Sequence, residues 1–444
     1  MTDLYQIDEW LNRDFSCSCG NKHSISVKKV LIERGALSQI PQYLNQTGLQ
    51  DVLLVADEFT YKAAGAVVVK QLESAGIHAS LCVLAGNERG ELAADEQAIV
   101  QVMLKLQPRV QAILAIGSGT IHDIVRFTCF AANRIFISVP TAPSVDGFSS
   151  VGAPLLIQGF KQTIPACAPE AIFADLDVLC LAPQAMVAAG FGDMLGKYTS
   201  LADWQLGHVL HNEHICELAA DMTRVGLQLC IDHLDGIRGR TEEGIGGLMR
   251  GLILSGISML MVGNSRPASG GEHHLSHYWE MRFIQEERKA LLHGAKVGVA
   301  SVLMAALFDS LKAIDTNQVT ALLTAAQAPN ESGDRAAIKA AYGAIAEQVI
   351  IENFPQQDAN LTVDPAIFKH KLLEQWADIL HIAEQVPSPI QFSQWLAHAG
   401  GPITSEQLGV KPELVTESLK NAMFVRNRFT IMRLNRWLGL SSVK

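Results

Sequence analysis

Short apolar runs of strand length alternate with longer stretches of helical period through the first part of the chain. Asp51–Asp57 is an apolar run, 60 to 75 carries a 3.6-residue period up to Gly76, Ile77–Leu84 is again strand-like, and 93 to 107 is helical. Ala112–Ile116 is a third buried strand, 121 to 132 a helix, and Ile135–Val139 a fourth strand ending at Pro140. An earlier strand is expected over 24 to 31, weakly alternating, and shorter β-like pieces between Pro154 and Ala174. Strands separated by helices of this length imply right-handed crossovers and a parallel sheet covered on both faces. Beyond about Leu181 the pattern changes: Gly246–Met261, Lys296–Ala313 and Arg335–Glu352 are long, Ala-rich and helical in period, with scarcely a strand-like run before Leu440. The stretch Asn353–Pro365 reads as an internal loop.

At 444 residues the chain exceeds what one hydrophobic core normally serves. Two domains are expected: an α/β domain over 1–180 and an all-helical domain over 181–444. An apolar content of 48% and a mean hydropathy of +0.18 suit a large interior. The most apolar window, Leu252–Val262, is shorter than the roughly 20 residues that cross a bilayer, and Met1–Gln6 carries no secretory signal, so a cytoplasmic protein without a membrane span is expected. A net charge of -10 with no basic run excludes nucleic acid as the main partner. The eight cysteines are too sparse for a disulfide scaffold.

The third strand runs into Gly117-Ser118-Gly119-Thr120 and then into a helix beginning Ile121-His122-Asp123. Strand, glycine turn and helix N-terminus together make a phosphate cradle, because backbone N–H groups and the helix dipole converge on an anion. The sequence is not Gly-x-Gly-x-x-Gly, and no acidic residue follows at the end of the next strand. Asp57, ending an earlier strand, offers a carboxylate to the ribose hydroxyls instead. A second polar loop, Pro140 to Ser150, leaves the carboxyl end of the fourth strand, on the side of an open sheet where ligands bind.

Four of the 14 histidines, His273, His274, His277 and His293, fall within 21 positions. On a helix His273 and His277 share a face one turn apart, and imidazole is the commonest protein ligand for a metal. A catalytic cation takes three protein groups, so a third is sought elsewhere, and Asp193 in Gly190-Phe191-Gly192-Asp193 is the candidate. Lys197, one turn further on, either meets an anionic substrate or points to solvent.

Other groupings read as structural. Cys17, Cys19 and His23 offer three soft ligands, but zinc normally takes four at looser spacing, so a surface hairpin is expected. His208, His211 and His214 suit a solvated helix, since the third swings off the face of the first two. Asp123 with Arg126 reads as a capping and surface pair, and Asp203 with Trp204 as packing residues.

Together, Gly117 to Asp123, Pro140-Thr141 to Ser150, Gly190 to Asp193, Gly271-Glu272-His273 to His277, and Leu292-His293-Gly294 resemble the sn-glycerol-1-phosphate dehydrogenases. These lie within the dehydroquinate-synthase-like and iron-containing alcohol dehydrogenase superfamily. The Cys17-Ser18-Cys19-Gly20 piece and the length past 400 look like its bacterial branch, whose members use nickel or another divalent ion. The resemblance implies an N-terminal parallel-sheet nucleotide-binding domain followed by a helical metal-binding domain. It implies that Asp57, Gly117, Ser118, Gly119, Thr120, Ile121, Thr141, Ala142, Pro143, Ser144 and Ser150 hold NAD(H) or NADP(H). Asp193, His273 and His293 would be ligands of one divalent ion, nickel or zinc ahead of iron. Asp146 and His277 would act at the substrate, with Asp193 part of the catalytic set. His274 beside His273, and a longer interval to His293 than in archaeal relatives, leave open which imidazoles reach the metal.

The implied reaction is reversible hydride transfer between a nicotinamide and C2 of dihydroxyacetone phosphate, giving sn-glycerol 1-phosphate. His277 or His274 would supply the proton. Asp57 favours NADH, because its charge repels a 2'-phosphate. A polyol dehydrogenase of the same fold, a sugar-phosphate cyclase and a non-catalytic metal-binding protein are the competing readings. A homodimer or larger homo-oligomer is expected.

Overall fold

The computed structural model describes residue 4 and residues 6–87, 90–158, 160–355 and 364–440. The chain forms two compact units. One comprises residues 1–194, 217–265 and 398–401, the other 195–216, 266–397 and 402–444.

The first unit is built on a six-stranded sheet, all of whose neighbours are parallel. In spatial order the strands are Lys29–Glu33, Ala171–Asp175, Ile135–Pro140, Ala112–Gly117, Asp51–Ala56 and His78–Val83. Its central strands are apolar along their whole length because both faces are covered. Val52, Leu54, Ala112, Leu114 and Ile116 enter one core with Leu44, Val68 and Leu72, while Leu53, Val55, Ile113 and Ala115 enter the other with Val102, Ile124 and Val125. The chain runs outward from Asp51–Ala56 to His78–Val83, then returns past it to Ala112–Gly117. That reversal makes a topological switch point between the strands ending at Ala56 and Gly117.

The expected strand over 24 to 31 is two elements. Lys22–Ile25 pairs antiparallel with Arg13–Ser16 in a separate hairpin, and Lys29–Glu33 joins the sheet beside Ala171–Asp175. Arg13–Ser16 has no buried residue, so no apolar alternation marks it in the sequence. Gly152–Ile157 and Phe160–Pro165 form a second hairpin.

Helix Glu242–Val262 also belongs to this unit and corrects the reading of its apolar window. It is 21 residues long, contains an 18-residue window with a mean hydropathy of 1.7, and is long and apolar enough to cross a bilayer. Yet 78% of that 18-residue window is buried inside the protein, as is 67% of the matching window in helix His293–Leu311. Glu242–Val262 packs on Glu217–Asp232 through glycine: a Cβ on Gly251 would come within 2.5 Å of the Gly226 carbonyl oxygen. Thr223 donates to Ser258 across the same face at 2.8 Å, so the two helices run antiparallel.

The second unit is helical, with no strand among the described residues after Asp175. Helix Gly271–Gln285 packs on His293–Leu311, and Trp204, Trp279 and Trp376 are fully buried. Asp203, also fully buried, accepts from the N–H groups of Gly271 and Ile431, both at 2.7 Å. These residues open helices Gly271–Gln285 and Ile431–Trp437, so one carboxylate serves two helix N-termini. Asp203 is thus more than a packing neighbour of Trp204. Helix Ala346–Asn353 ends where a loop is expected, and residues 356–363 of that loop lie outside the described residues.

Candidate functional site

Asp57 and the Gly117 turn stand at the carboxyl ends of the two strands that flank the switch point. Asp57 caps the helix that follows: its Oδ1 accepts from the Thr60 N–H at 2.7 Å, and its own N–H donates to the Thr60 hydroxyl at 3.0 Å. The chain turns after Gly117 without room for a side chain. A Cβ there would lie 2.5 Å from Cδ1 and 2.9 Å from Cβ of Ile121, so glycine lets the helix Gly119–Ala132 start hard against its strand. Ser118 sits at the N-cap position without using its side chain on the helix, and its hydroxyl is hydrogen-bonded to that of Ser144.

His122, read from sequence only as part of the motif, fixes this turn. Its Nδ1 lies 2.9 Å from the Ser118 carbonyl oxygen, which can only accept, so that nitrogen carries the proton and Nε2 accepts from the Ser138 hydroxyl at 2.8 Å. Burial drives its pKa down to about 3, a neutral ring at any ordinary pH.

The Pro140–Ser150 loop is tied to the turn by the Thr141 N–H, which donates to the Gly117 carbonyl at 2.9 Å. Thr141, Ala142, Pro143, Ser144 and Ser150 lie in this buried loop. The Ser150 hydroxyl donates to the Gly147 carbonyl at 3.3 Å. Arg126 is not the surface residue the sequence suggests: it is fully buried, pairs with Asp123 at 2.9 Å, and donates to the Gly152 and Gly147 carbonyls. Its position one turn after His122 gives no hint of this, because the loop that covers it returns only later in the chain. Asp146 donates its N–H to Asp193 Oδ2 at 3.0 Å, and its carboxylate accepts from Ser255 at 2.8 Å. Both aspartates are buried.

In the helical unit His273 and His277 on one helix meet His293, the first residue of the next. Ring centroids are 5.2 Å apart for His273 and His293, 5.7 Å for His277 and His293, and 6.1 Å for His273 and His277. His273 and His293 each bring a ring nitrogen within 4.8 Å of the other's. His273 is oriented by Glu272, whose Oε1 lies 2.8 Å from Nδ1 and leaves Nε2 as the donor face. Glu272 is held in turn by Thr199 at 2.6 Å and the Gly270 N–H at 2.6 Å, and is fully buried. Burial raises its pKa, but the bonds from His273 and Thr199 outweigh that and keep it below the ordinary value. Glu280 lies 3.6 Å from His277 Nδ1 and 2.9 Å from the buried ammonium of Lys296.

His274 does not join the cluster. It is fully buried, neither ring nitrogen has a hydrogen-bond partner, and burial, with Arg428 and Arg426 adding to it, holds its pKa well below normal. Lys197 is fully buried and donates to the Ala268 carbonyl at 3.1 Å. His208 bonds the Glu213 carbonyl and His211 packs on Phe368 and Phe429, so with His214 they form no metal-ligand group among the described residues. Glu272, Glu280 and Lys296 were legible only as neighbours of the histidines at one-turn or adjacent spacing.

A sequence profile of the iron-containing alcohol dehydrogenases matches residues 31–183. The chain is 40% identical over 428 residues to the NAD(P)+ glycerol-1-phosphate dehydrogenase of Geobacillus stearothermophilus, covering 96% of each. It is 37% identical over 411 residues to the enzyme of that name from Bacillus subtilis strain 168, covering 92% of this chain and 91% of that one. Among solved structures, a 1,3-propanediol oxidoreductase matches with a TM-score of 0.61 at 14% identity, covering 92% of this chain and 94% of that one. Glycerol dehydrogenase from Schizosaccharomyces pombe matches with a TM-score of 0.57 at 16% identity, covering 93% and 88%. These two likenesses concern the fold.

Proposed function

Since the chain belongs to the NAD(P)+ glycerol-1-phosphate dehydrogenase family and is therefore an oxidoreductase, we propose that it reduces dihydroxyacetone phosphate to sn-glycerol 1-phosphate. The reaction is reversible and uses a divalent cation held by Asp193, His273 and His293. The observation that carries the metal assignment is the convergence of His273 and His293, with His273 turned by a buried carboxylate. One carboxylate and two imidazoles suit a borderline divalent ion, nickel or zinc ahead of iron.

Asp193 is supported as the third ligand by the helix that carries it. Gly196, three residues on, faces the histidine helices, since a Cβ there would lie 2.9 Å from Val297 Cγ1 and 3.2 Å from Glu272 Cγ. Residues three apart share a helix face. The Asp146 N–H donates to Asp193 Oδ2 and so fixes the orientation of the carboxylate.

The cation would polarise the C2 carbonyl as a Lewis acid. The nicotinamide would supply the hydride, and the protein orients it. We assign the dinucleotide to Asp57, Gly117, Ser118, Gly119, Thr120, Ile121, Thr141, Ala142, Pro143, Ser144 and Ser150. NADH is favoured, because the Asp57 carboxylate repels a 2'-phosphate. His277 passes a proton to the C2 oxygen, with Glu280 and Lys296 setting the field around its ring. Asp146 acts by holding Asp193. His273 and His293 lie in the first turns of their helices, where the N-terminal dipoles favour charge developing on the substrate oxygen.

The test is NADH oxidation by chelator-stripped protein refilled separately with nickel, zinc or iron, on dihydroxyacetone phosphate and on dihydroxyacetone. Turnover restored by metal and confined to the phosphorylated ketone is expected; equal turnover on both makes the chain a polyol dehydrogenase. Asp193→Asn should lose one equivalent of metal and most activity while remaining folded. Near-normal turnover in that variant overturns the ligand set.

A further inference from the structure

We propose that Cys17, Cys19, His23 and Cys216 bind a structural zinc ion, a site distinct from the catalytic cation. The hairpin Arg13–Ser16/Lys22–Ile25 brings the first three together: Cys17, Cys19 and His23 each offer a donor atom within 4.8 Å of the others. Cys19 Sγ lies 3.3 Å from His23 Nε2, close to the edge of about 3.6 to 3.8 Å that zinc–sulfur and zinc–nitrogen bonds set for a tetrahedral site. The turn between the cysteines and the histidine is made by Gly20 at φ 90°, with the Cys17 N–H donating to the Asn21 carbonyl at 2.9 Å.

The proton on His23 decides its chemistry. Its Nδ1 is 2.7 Å from the Met261 carbonyl oxygen, an acceptor in the last turn of helix Glu242–Val262. Nδ1 therefore carries the hydrogen, and Nε2 presents its lone pair beside Cys19. A ligating histidine is normally oriented in this way, its second nitrogen donating to a carbonyl. His23 is buried, on a hairpin whose other residues are largely exposed.

Cys216 follows from the helix register. Helices Glu217–Asp232 and Glu242–Val262 run antiparallel, with Gly226 against Gly251 and Thr223 bonded to Ser258. Continued toward the start of the first helix, that pairing brings the residue ahead of Glu217 alongside the turn that ends at Val262. Met261, which anchors His23, is in that turn. Cys216 is joined to Glu217 through the chain and is fully buried. Three thiolates and one imidazole are a donor set of closed structural zinc sites. The ion would fasten an exposed hairpin with little core of its own to the helix pair.

Metal analysis of the full-length enzyme expressed with zinc should give two equivalents per chain. Cys19→Ser and Cys216→Ser should each lose one equivalent, and Asp193→Asn the other. Cobalt substitution adds a readout of sulfur ligation: the thiolate-to-cobalt charge-transfer band should persist in Asp193→Asn and vanish in Cys19→Ser. Should the cysteine variants fail to fold, titrating wild-type protein with a mercurial in the presence of a zinc indicator should release one zinc, and Cys180→Ser should release the same. The proposal is overturned by metal content and cobalt spectra that ignore the cysteine substitutions. It is equally overturned by a mercurial titration that frees no zinc, or by a mass showing Cys17 or Cys19 in a disulfide with Cys216.

Discussion

Glu272 accepts a hydrogen bond from the Nδ1–H of His273 at 2.8 Å from a position with no solvent exposure. The two residues are adjacent in sequence, so the contact needs no long-range folding beyond the helix start that bends the carboxylate back. Its other oxygen takes the Thr199 hydroxyl at 2.6 Å, which fixes the carboxylate from the facing helix.

Glu272→Gln keeps the shape but exchanges a charged acceptor for a neutral one, and the imidazole then loses basicity at Nε2. Metal affinity, measured by competition with a chelating indicator, should fall about 10- to 100-fold, the usual effect of removing a carboxylate behind a ligating histidine. An affinity within twofold of wild type means that Glu272 does not tune His273.

Asp203 serves two N–H groups that nothing else replaces. Asn offers one acceptor oxygen and turns an N–H₂ toward the second donor, leaving it unsatisfied inside the protein. Asp203→Asn should destabilise the helical unit by about 1–3 kcal/mol. Denaturant unfolding followed by the fluorescence of the buried tryptophans reads this loss. An unchanged midpoint removes the bridging role.

The legible parts of this molecule are those whose partners stand close in sequence. The apolar runs Asp51–Ala56, Ala112–Gly117 and Ile135–Pro140 announce a two-sided sheet because every residue in them but the first is buried or nearly so. The glycine turn at Gly117 and the His273/His277 spacing are local patterns too. Arg126 and His122 were opaque because polar residues on an amphipathic helix look solvent-facing until a later loop covers them. Cys17, Cys19 and His23 read as one donor short of a zinc site, since a residue almost two hundred positions downstream cannot be counted from spacing. Helix Glu242–Val262 exceeded its apolar window because its glycines lower hydropathy while permitting the close helix contact that buries it.

Gly117 separates a sterically required glycine from a merely tolerated one. In Gly117→Ala the new methyl would meet Ile121 at 2.5 Å, and that residue lies in the first turn of helix Gly119–Ala132. The helix must withdraw from its strand, at a cost of about 1–3 kcal/mol typical of overpacking. Its N–H groups withdraw with it. NADH affinity, followed by its fluorescence on titration, should weaken at least tenfold while metal content holds. Unaltered NADH binding would mean that the turn is structural only.

His122 gives the chain a defined acid sensitivity. Its folded-state pKa of about 3 lies below that of an exposed imidazole, about 6.5, because burial disfavours the charged ring. Below pH 6.5 the unfolded chain takes up a proton that the folded chain refuses, so stability is full above that pH and declines as pH falls toward 3. Between pH 7 and pH 5 this one group should remove about 2 kcal/mol, from about 1.4 kcal/mol per pH unit below 6.5. His122→Gln cannot titrate, and it retains an amide to meet the Ser118 carbonyl and the Ser138 hydroxyl. Denaturant unfolding of both proteins at the two pH values should show a smaller drop in the variant by that amount. An equal drop would assign the acid sensitivity to other groups and leave the neutral ring without consequence for stability.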